Sequence, residues 1–301
     1  PKLHLEYLFE PRQGKFHALN AGVARTRTEH VITIDADTLL YRDAVSIIVN
    51  HIVQEGASKK VGAVAGAVFV RNSRENFLTK LQEWDYFLSI AGIKRSQGLF
   101  QSTLVAQGAF SIYSMQALRE VGGWGDHIGE DIVLSWDMLA KGYSIYYEPT
   151  AVSFTTVPTS FKIFRRQRAR WARGMLEGLR RRPVWKYPTV YSRTLIALDY
   201  LLFLIDFSVL LFWIPGLVAA IAFQWTLLVG PATLLLLPLT YGMFSILLIK
   251  ELRFVFNHFG LRIRKHYFAF VVFLLTYQMI MAPISFSGYL QEFFRVKRRW
   301  K

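Results

Sequence analysis

The chain has 301 residues, 52% of them hydrophobic, and carries a formal net charge of +15 at pH 7. It contains no cysteine, which excludes disulfide bonds and thiolate-metal chemistry. Residues 1–186 are mixed and charged, whereas residues 187–301 are dominated by Leu, Ile, Phe, Val and Ala, so we expect two unlike parts.

Strands and helices are predicted to alternate along the first part of the chain. In order, the spacing predicts a strand over 3–9, a helix over 15–26, a strand over 30–36, a helix over 41–54, an apolar β-branched run over 61–70, a helix over 76–97, a strand or hairpin over 103–114, helices over 114–124 and 129–143, and strands over 144–155. This alternation is typical of an open α/β sheet, in which ligands bind beyond the carboxyl ends of strands.

The first residues look like the interior of a domain. The opening PKLHLEYLFEP resembles an interior strand, and no signal peptide is recognised in it. We therefore expect that residue 1 is not the natural start of the protein.

Two carboxylates, Asp35 and Asp37, follow the buried strand pattern VITI. Such carboxylates are costly unless a positive charge offsets them, and a pair of them can hold Mg²⁺ or Mn²⁺. The alternative is that Asp37 caps the next helix while Asp35 pairs with an arginine. The three-residue pattern alone does not decide between these roles.

A second acidic pair, Glu130 and Asp131, lies in the first turn of a predicted helix, where acids usually act as caps. If this helix start faces the same cleft, one carboxylate could serve as a general base for an acceptor hydroxyl.

The segment 161–186 is strongly basic, with ten Lys or Arg residues and a single acid, Glu177. Its spacing predicts an amphipathic helix on lipid headgroups, with one apolar stripe. Members of the stripe are Phe161, Phe164, Trp171, Met175 and Leu179. An arginine of this helix could also neutralise a diphosphate, and a tryptophan could stack on a sugar ring.

No charged residue occurs from Phe207 to Ile249 or from Tyr267 to Gln291. The first run, with its lead-in from Thr194, predicts two membrane spans separated by a turn near 224–231, and the second run predicts one span. The basic segments before the first span and at 250–266 indicate the cytoplasmic face. The basic tail RVKRRWK disagrees with three full spans, so either 267–291 is re-entrant or interfacial, or the chain continues, or the charge rule fails here.

Two acids, Asp199 and Asp206, lie seven residues apart in the first predicted span. Asp199 fits the membrane interface, whereas Asp206 is deeper and is a functional candidate. It could face a polymer channel, or it could pair with a neighbouring helix or a partner subunit.

The ordered set GKFHALNAG, DAD, GED and QRARW, followed by membrane spans, resembles the processive family-2 glycosyltransferases, which are the cellulose, chitin, hyaluronan and poly-N-acetylglucosamine synthases. The Q-x-x-R-W match is the most specific element. IKRSQ, GEDIVLSW and YYEPTAV look most like the bacterial poly-N-acetylglucosamine synthases. The resemblance implies a GT-A-type open mixed sheet over 1–158 that lacks its N-terminal part, an interfacial helix over 159–186 and about three membrane segments over 187–301.

The resemblance also implies roles for individual residues. Lys15, Asn20, Asp35, Asp37 and Arg170 would bind the donor, Asp37 and Asp35 would hold Mg²⁺ or Mn²⁺, Gln167 and Trp171 would bind the acceptor, and Asp131, beside Glu130, would be the catalytic base. Two features of the family are absent: no position matches its earlier uridine-contacting aspartate, and the F-x-V-T-x-K-G motif of cellulose synthases is missing. The missing motif argues against cellulose as the product.

These inferences predict an inverting glycosyltransferase in the inner (plasma) membrane, multi-pass, with a cytoplasmic catalytic domain. It would move a sugar, with UDP-GlcNAc as the favoured donor, to a growing polysaccharide, with membrane lipid and a small membrane subunit as further candidate partners. One alternative is an enzyme that adds a single sugar to a lipid acceptor. Another is a non-catalytic protein that binds anionic lipid. Nucleic acid is disfavoured because the basic residues crowd the membrane boundary.

Overall fold

The computed structural model describes residues 4–92, 94, 103–261 and 266–297. Most of the IKRSQ motif, the middle of the basic loop before the last span and the end of the basic tail lie outside the described residues.

Helices and strands alternate along the first half, and long helices follow. The strands are β1 (His30–Ile34), β2 (Leu39–Leu40), β3 (Val61–Val70), β4 (Phe110–Ser114) and β5 (Ser144–Thr155). The helices are α1 (Lys15–Arg25), α2 (Ala44–Gly56), α3 (Phe77–Asp85) with a π-helical continuation (Tyr86–Gly92), α4 (Met115–Val121), α5 (Glu130–Ala140), α6 (Phe161–Arg181), a 3₁₀ turn (Val184–Lys186), α7 (Val190–Ser208) with a π-helical turn (Val209–Trp213), α8 (Ile214–Phe223), α9 (Pro231–His258) and α10 (Tyr267–Phe293).

In the described part of the chain, five strands form one mixed sheet in the order β1-β4-β3-β5-β2. Only β3 and β5 are parallel, and the other pairs are antiparallel. All ten residues of β3 are buried, which explains why this strand is a continuous apolar run without polar alternation. The predicted α/β class, an open mixed sheet flanked by helices, is therefore confirmed.

One strand prediction was wrong, and a second was too long. Residues 4–9 are irregular and lie outside the sheet, and Leu5, Tyr7 and Phe9 are exposed. Alternating apolar residues become a strand only when a neighbouring strand takes up their backbone hydrogen bonds, and the ladder of β1 runs along β4 instead. In 103–114, the strand is limited to β4, because the residues before it form the loop that meets the start of α5.

Several helices begin at a residue whose side chain caps the first turn, and α4 ends at a left-handed glycine. Asn76 and Thr79 form a capping box at the start of α3, and the Ser160 and Thr189 side chains accept backbone N–H bonds at the starts of α6 and α7. Gly122 ends α4 in the left-handed conformation, at φ 83°.

Among the described residues, two helical stretches are long and apolar enough to cross a membrane, Val190–Phe223 and Tyr267–Phe293, and Pro231–Met243 is a shorter apolar helix. Only 11% of the most apolar window of the first stretch is buried in protein. An exposed apolar surface of this extent indicates membrane association. The predicted turn also occurs: α8 ends at Phe223, and Gln224 adopts φ 53°.

The apolar stripe of α6 faces protein rather than lipid. Phe164 and Leu179 are fully buried in the protein core, while Phe161 is 54% exposed. On one side α6 meets α10 so closely that a Cβ on Gly288 would lie 2.3 Å from the Ala169 carbonyl oxygen. The predicted lipid contact is therefore wrong for Phe164 and Leu179, because protein covers them.

Asp206 pairs with the neighbouring helix, as one of the two sequence interpretations proposed. Its Oδ1 accepts a hydrogen bond from Gln278 Nε2 at 2.7 Å, and its Oδ2 accepts one from the Tyr289 hydroxyl at 2.8 Å. These bonds connect α7 to α10 within the apolar region.

A buried ion pair joins α6 to α3. Arg168 is 2% exposed and Asp85 is 7% exposed, with 2.8 Å between the guanidinium nitrogen Nη2 and Asp85 Oδ2. The guanidinium carbon also lies 4.1 Å from the centre of the Trp171 ring, within the range of a cation-π contact. Arg168 thus fixes the orientation of the neighbouring tryptophan.

Removing one partner of this pair is expected to destabilise the protein by about 3–5 kcal/mol, because the other charge remains buried without compensation. Arg168→Met and Asp85→Asn should each lower the unfolding temperature in detergent, and the double variant should recover part of the loss. Arg165→Met, which removes an exposed charge on the same helix, is the control and should change stability by less than about 0.5 kcal/mol. Equal unfolding temperatures for Arg168→Met and Arg165→Met would show that the pair does not stabilise the fold.

Candidate active site

The carboxyl end of β1 meets the loop before β4, because these strands are antiparallel neighbours and Ile34 pairs with Phe110. The Asp35 N–H donates to the Ala109 carbonyl oxygen at 3.1 Å, which places Asp35 at the mouth of the sheet. Lys15, in the first turn of α1, brings its Nζ to 2.5 Å from Asp35 Oδ1. The sheet mouth therefore holds a carboxylate with a cation already beside it.

Asp131 reaches the same place from the start of α5. Its Oδ2 accepts the Gly108 N–H at 3.2 Å, and its Oδ1 accepts the Ile132 N–H at 2.9 Å. Glu130 lies with Oε1 3.8 Å from Lys15 Nζ. The structure thus brings together two predicted acidic motifs, which lie far apart in sequence, around one lysine.

The charges of this cluster shift one another's pKa values. Burial alone would lower the pKa of Lys15, but Asp35, Glu130 and Asp131 together raise it above its ordinary value. Burial raises the pKa of Glu130, and the charge of Asp131 raises it further, against the opposing effect of Lys15 and Arg170. Lys15 therefore stays a cation, while Glu130 holds its proton more tightly than an exposed glutamate does.

Asp37 accepts a hydrogen bond from the Thr155 hydroxyl at 3.3 Å. Both aspartates are close enough to Tyr86 to act on its pKa, which burial in the first place raises to about 12. The Tyr86 ring packs against Trp171, with 6.3 Å between ring centres. The acidic mouth and the aromatic side of α6 are therefore adjacent.

The three residues of the Q-x-x-R-W motif differ in exposure and in their contacts. Arg170 is exposed, within electrostatic reach of Glu130. Gln167 is half-buried, and its side-chain oxygen is buried without a hydrogen-bond partner among the described residues. Trp171 is half-buried between Arg168 and Tyr86.

Among the described residues, the Asn20 side chain hydrogen-bonds to Trp124 and not to the charged groups around Lys15. Its side chain donates to the Trp124 carbonyl oxygen at 2.7 Å and accepts the Trp124 N–H at 3.0 Å. A role of Asn20 in donor binding would therefore be indirect, through the loop between α4 and α5.

Sequence reasoning missed the loop before β4. Lys94 Nζ donates to the Val105 carbonyl oxygen at 2.9 Å and to Gln107 Oε1 at 2.5 Å, and Gln107 donates to the Gly66 carbonyl oxygen at 2.7 Å. These bonds fix the loop that carries Gly108, whose backbone N–H donates to Asp131. A glycine preceded by a glutamine just before an apolar strand was the available signal, and it is too common to be decisive.

Comparison with known proteins gives a consistent result. The model of a family described as "Glycosyl transferase family group 2" matches residues 30–284. The poly-beta-1,6-N-acetyl-D-glucosamine synthase of Staphylococcus epidermidis is 36% identical over 187 residues, 62% of this chain and 44% of that protein. The enzyme of the same name from Staphylococcus aureus is 36% identical over 173 residues, 57% of this chain and 41% of that protein. The chain thus matches less than half the length of these curated relatives.

A solved structure has the same fold. A mannosyltransferase from Pyrobaculum calidifontis, in complex with GDP-Man and Mn²⁺, superposes with a TM-score of 0.59 and 19% sequence identity, over 95% of this chain and 68% of that one. This likeness confirms the GT-A-type arrangement of sheet and helices.

The raised pKa of Glu130 makes a prediction for stability. Between the ordinary value of 4.5 and the raised value, the folded state binds more protons than the unfolded state, so this residue contributes stability at low pH that is lost as pH rises. Glu130→Gln should therefore be more stable than the unsubstituted protein at pH 7, and this advantage should vanish below about pH 4.5.

Glu120→Gln is the matched control, because hydrogen bonds from Tyr143, Gln116 and Lys60 lower the pKa of that exposed carboxylate. Its substitution should not stabilise the protein at pH 7. Unfolding temperatures in detergent across this pH range measure both effects. A less stable Glu130→Gln at pH 7 would mean that attraction to Lys15 outweighs burial.

Proposed function

This chain belongs to glycosyl transferase family group 2, and we propose that it transfers N-acetylglucosamine from UDP-GlcNAc to the hydroxyl end of a growing β-linked polysaccharide, with inversion. The family match confirms the resemblance seen in the sequence. The choice of sugar is supported by the likeness to the two poly-beta-1,6-N-acetyl-D-glucosamine synthases. The single observation that carries the proposed chemistry is the convergence of Asp131, Asp35 and Lys15 on one cleft.

Asp131 is the proposed base. The acceptor oxygen attacks the anomeric carbon and gives its proton to Asp131, while the bond between that carbon and the diphosphate oxygen breaks and UDP leaves with the electron pair. The backbone N–H groups of Gly108 and Ile132 fix the orientation of the carboxylate before the acceptor arrives. Attack from the side opposite the leaving group inverts the anomeric carbon.

Positive charge is available for the leaving diphosphate. Lys15 lies between Asp35 and Glu130, and the exposed Arg170 is in electrostatic reach of Glu130. Fixed cations near a departing diphosphate stabilise the charge that develops on it. We assign these two side chains to the donor.

Asp35 and Asp37 fit a hard divalent cation. Their carboxylate oxygens suit Mg²⁺ or Mn²⁺, and among the described residues no group of three or more His, Asp or Glu side chains is arranged to hold a metal ion. Water and the donor diphosphate would therefore complete the coordination. When bound, such an ion would stabilise the negative charge of the diphosphate. The Mn²⁺ and GDP-Man in the similar mannosyltransferase structure support this proposal.

Gln167 and Trp171 are assigned to the acceptor. The buried oxygen of Gln167, which has no partner among the described residues, would gain a donor from a sugar hydroxyl. The Trp171 ring is held in place by Arg168, so it can receive a sugar face without first being ordered.

The sheet would lie at the cytoplasmic face of the inner membrane, the basic helix 159–186 at the membrane surface, and the helices of 187–301 in the bilayer, where they would pass the polymer outward. One hydrophobic core joins the sheet to these helices, with Phe69, Phe164 and Phe273 among its members. Such continuity suits a catalytic domain seated on its own membrane region.

The first test is UDP release by the full-length parent protein in membranes, supplied with Mg²⁺ or Mn²⁺ and one UDP-sugar at a time. Release should occur with UDP-GlcNAc and be lost with EDTA. Asp131→Asn should lower the rate by about 10²–10⁴-fold, because the general base is removed. Asp137→Asn, which changes an acid at the other end of α5, is the matched control. An Asp131→Asn enzyme of normal rate would overturn the assignment of the base.

Product length separates the polymer synthase from an enzyme that adds one sugar to a lipid. Trp171→Ala should shorten the product while donor binding is kept, because the ring assigned to the acceptor is removed. Trp185→Ala, at a tryptophan that is 75% exposed, is the control and should leave the length unchanged. A single added sugar on lipid, unaffected by Trp171→Ala, would favour the non-processive alternative.

A further inference from the structure

Glu177 is the one acid of the basic segment 161–186, and its environment is unlike that of a surface charge. Its side chain is only 11% exposed. Oε2 accepts the Ile128 N–H at 2.8 Å, and Oε1 lies 2.9 Å from His127 Nδ1. Both contacts are made to the loop that leads into α5, and not to α6 itself.

The same loop is in backbone contact with α6. A Cβ on Gly174 would lie 2.7 Å from the Gly129 N and Cα atoms, and a Cβ on Gly129 would lie 3.0 Å from the Gly174 Cα. Real Cβ atoms do not approach so closely. The two glycines therefore allow the backbones of α6 and of the loop before α5 to lie closer together than residues with a Cβ would permit. Glu177 lies one turn further along α6 and holds the residue just before Gly129.

We propose that Glu177 is a positioning residue for the transfer reaction. It fixes the start of α5, which carries Asp131, against α6, which carries Gln167 and Trp171. This inference rests on the proposed function, in which Asp131 is the base and those two residues bind the acceptor. Glu177 itself touches no substrate.

Three residues assigned to the donor, unlike Arg170 of α6, do not depend on this contact. Lys15 belongs to α1, and Asp35 and Asp37 follow β1, so loss of Glu177 leaves their supports in place. The distance between the base and the acceptor changes instead, and an error of about 1 Å at this point can cost about 10²-fold in rate. Water is small and mobile, and it can still reach the bound donor when the polymer hydroxyl is misplaced.

The experiment compares Glu177→Ala with Glu177→Gln in membranes that contain the full-length protein. UDP release and incorporated sugar are measured over a range of UDP-GlcNAc concentrations. Glu177→Ala should lower kcat for sugar transfer about 10–100-fold and raise the ratio of released UDP to incorporated sugar, with the donor KM changed less than about twofold. Glu177→Gln, whose amide oxygen can still accept the Ile128 N–H, should restore most of the transfer.

Two further variants separate positioning from stability. Asp137→Asn removes the charge and one of the two oxygens that Arg181 and Arg182 contact, at 3.2 Å each, where the end of α6 meets the far end of α5. It should leave the ratio of UDP to incorporated sugar unchanged. Gly174→Ala forces the helices apart beside Gly129 and should reproduce the effect of Glu177→Ala with Glu177 present.

The outcomes distinguish failure of the positioning role of Glu177 from failure of the proposed function. Normal transfer by Glu177→Ala, with Asp131→Asn inactive, overturns the positioning role and leaves the proposed function intact. An equal fall in Glu177→Ala and Asp137→Asn, with an unchanged ratio, also overturns it, because general loosening would explain both. Full activity of Asp131→Asn overturns the proposed function itself. If Glu177→Ala does not accumulate, Glu177→Asp, which withdraws the carboxylate by one methylene, takes its place and must show the same raised ratio.

Discussion

The close packing of α6 on both of its sides is the constraint on which the rest of the structure depends. Towards the sheet, Gly174 meets Gly129 backbone to backbone, and towards the apolar helices, Ala169 meets Gly288 in the same way. Contacts of this kind leave no space for side chains, so the relative positions of three helices are set within a narrow range. The start of α5, with Asp131, is thereby tied through α6 to the membrane-facing half of the molecule.

Oppositely charged side chains are paired both in the cleft and in the core, and the two sets of pairs differ in exposure. In the cleft, Lys15 is shared among carboxylates from separate elements, and the partly exposed setting leaves room for a ligand to replace one partner. In the core, Arg168 and Asp85 are buried together as an ion pair. A shared, accessible cation suits binding and release, whereas a buried pair suits a fixed orientation of Trp171.

The sheet and the apolar helices share one hydrophobic core, so the two parts of the molecule are packed directly against each other. The ring of Phe256 in α9 packs edge to face with Phe69 of β3 and with Phe87 after α3, so a side chain of the sheet touches a long helix directly. The sheet and the apolar helices therefore form one continuously packed body. The hydrogen bonds of Asp206 to α10 belong to the same body.

The sequence by itself determined the order of most elements, the apolar helices and the motif residues, because periodicity and charge-free runs are local properties of the chain. Only the tertiary structure decided that 4–9 stays outside the sheet, that Lys15 is the cation beside Asp35, that Asn20 is occupied by Trp124, and that Arg168 and Glu177 are internal. Each of these outcomes depends on a partner far away in sequence, such as Ile128 for Glu177, which lies 49 positions away. A charged residue on a basic helix carries no local signal of what the folded chain will bring against it.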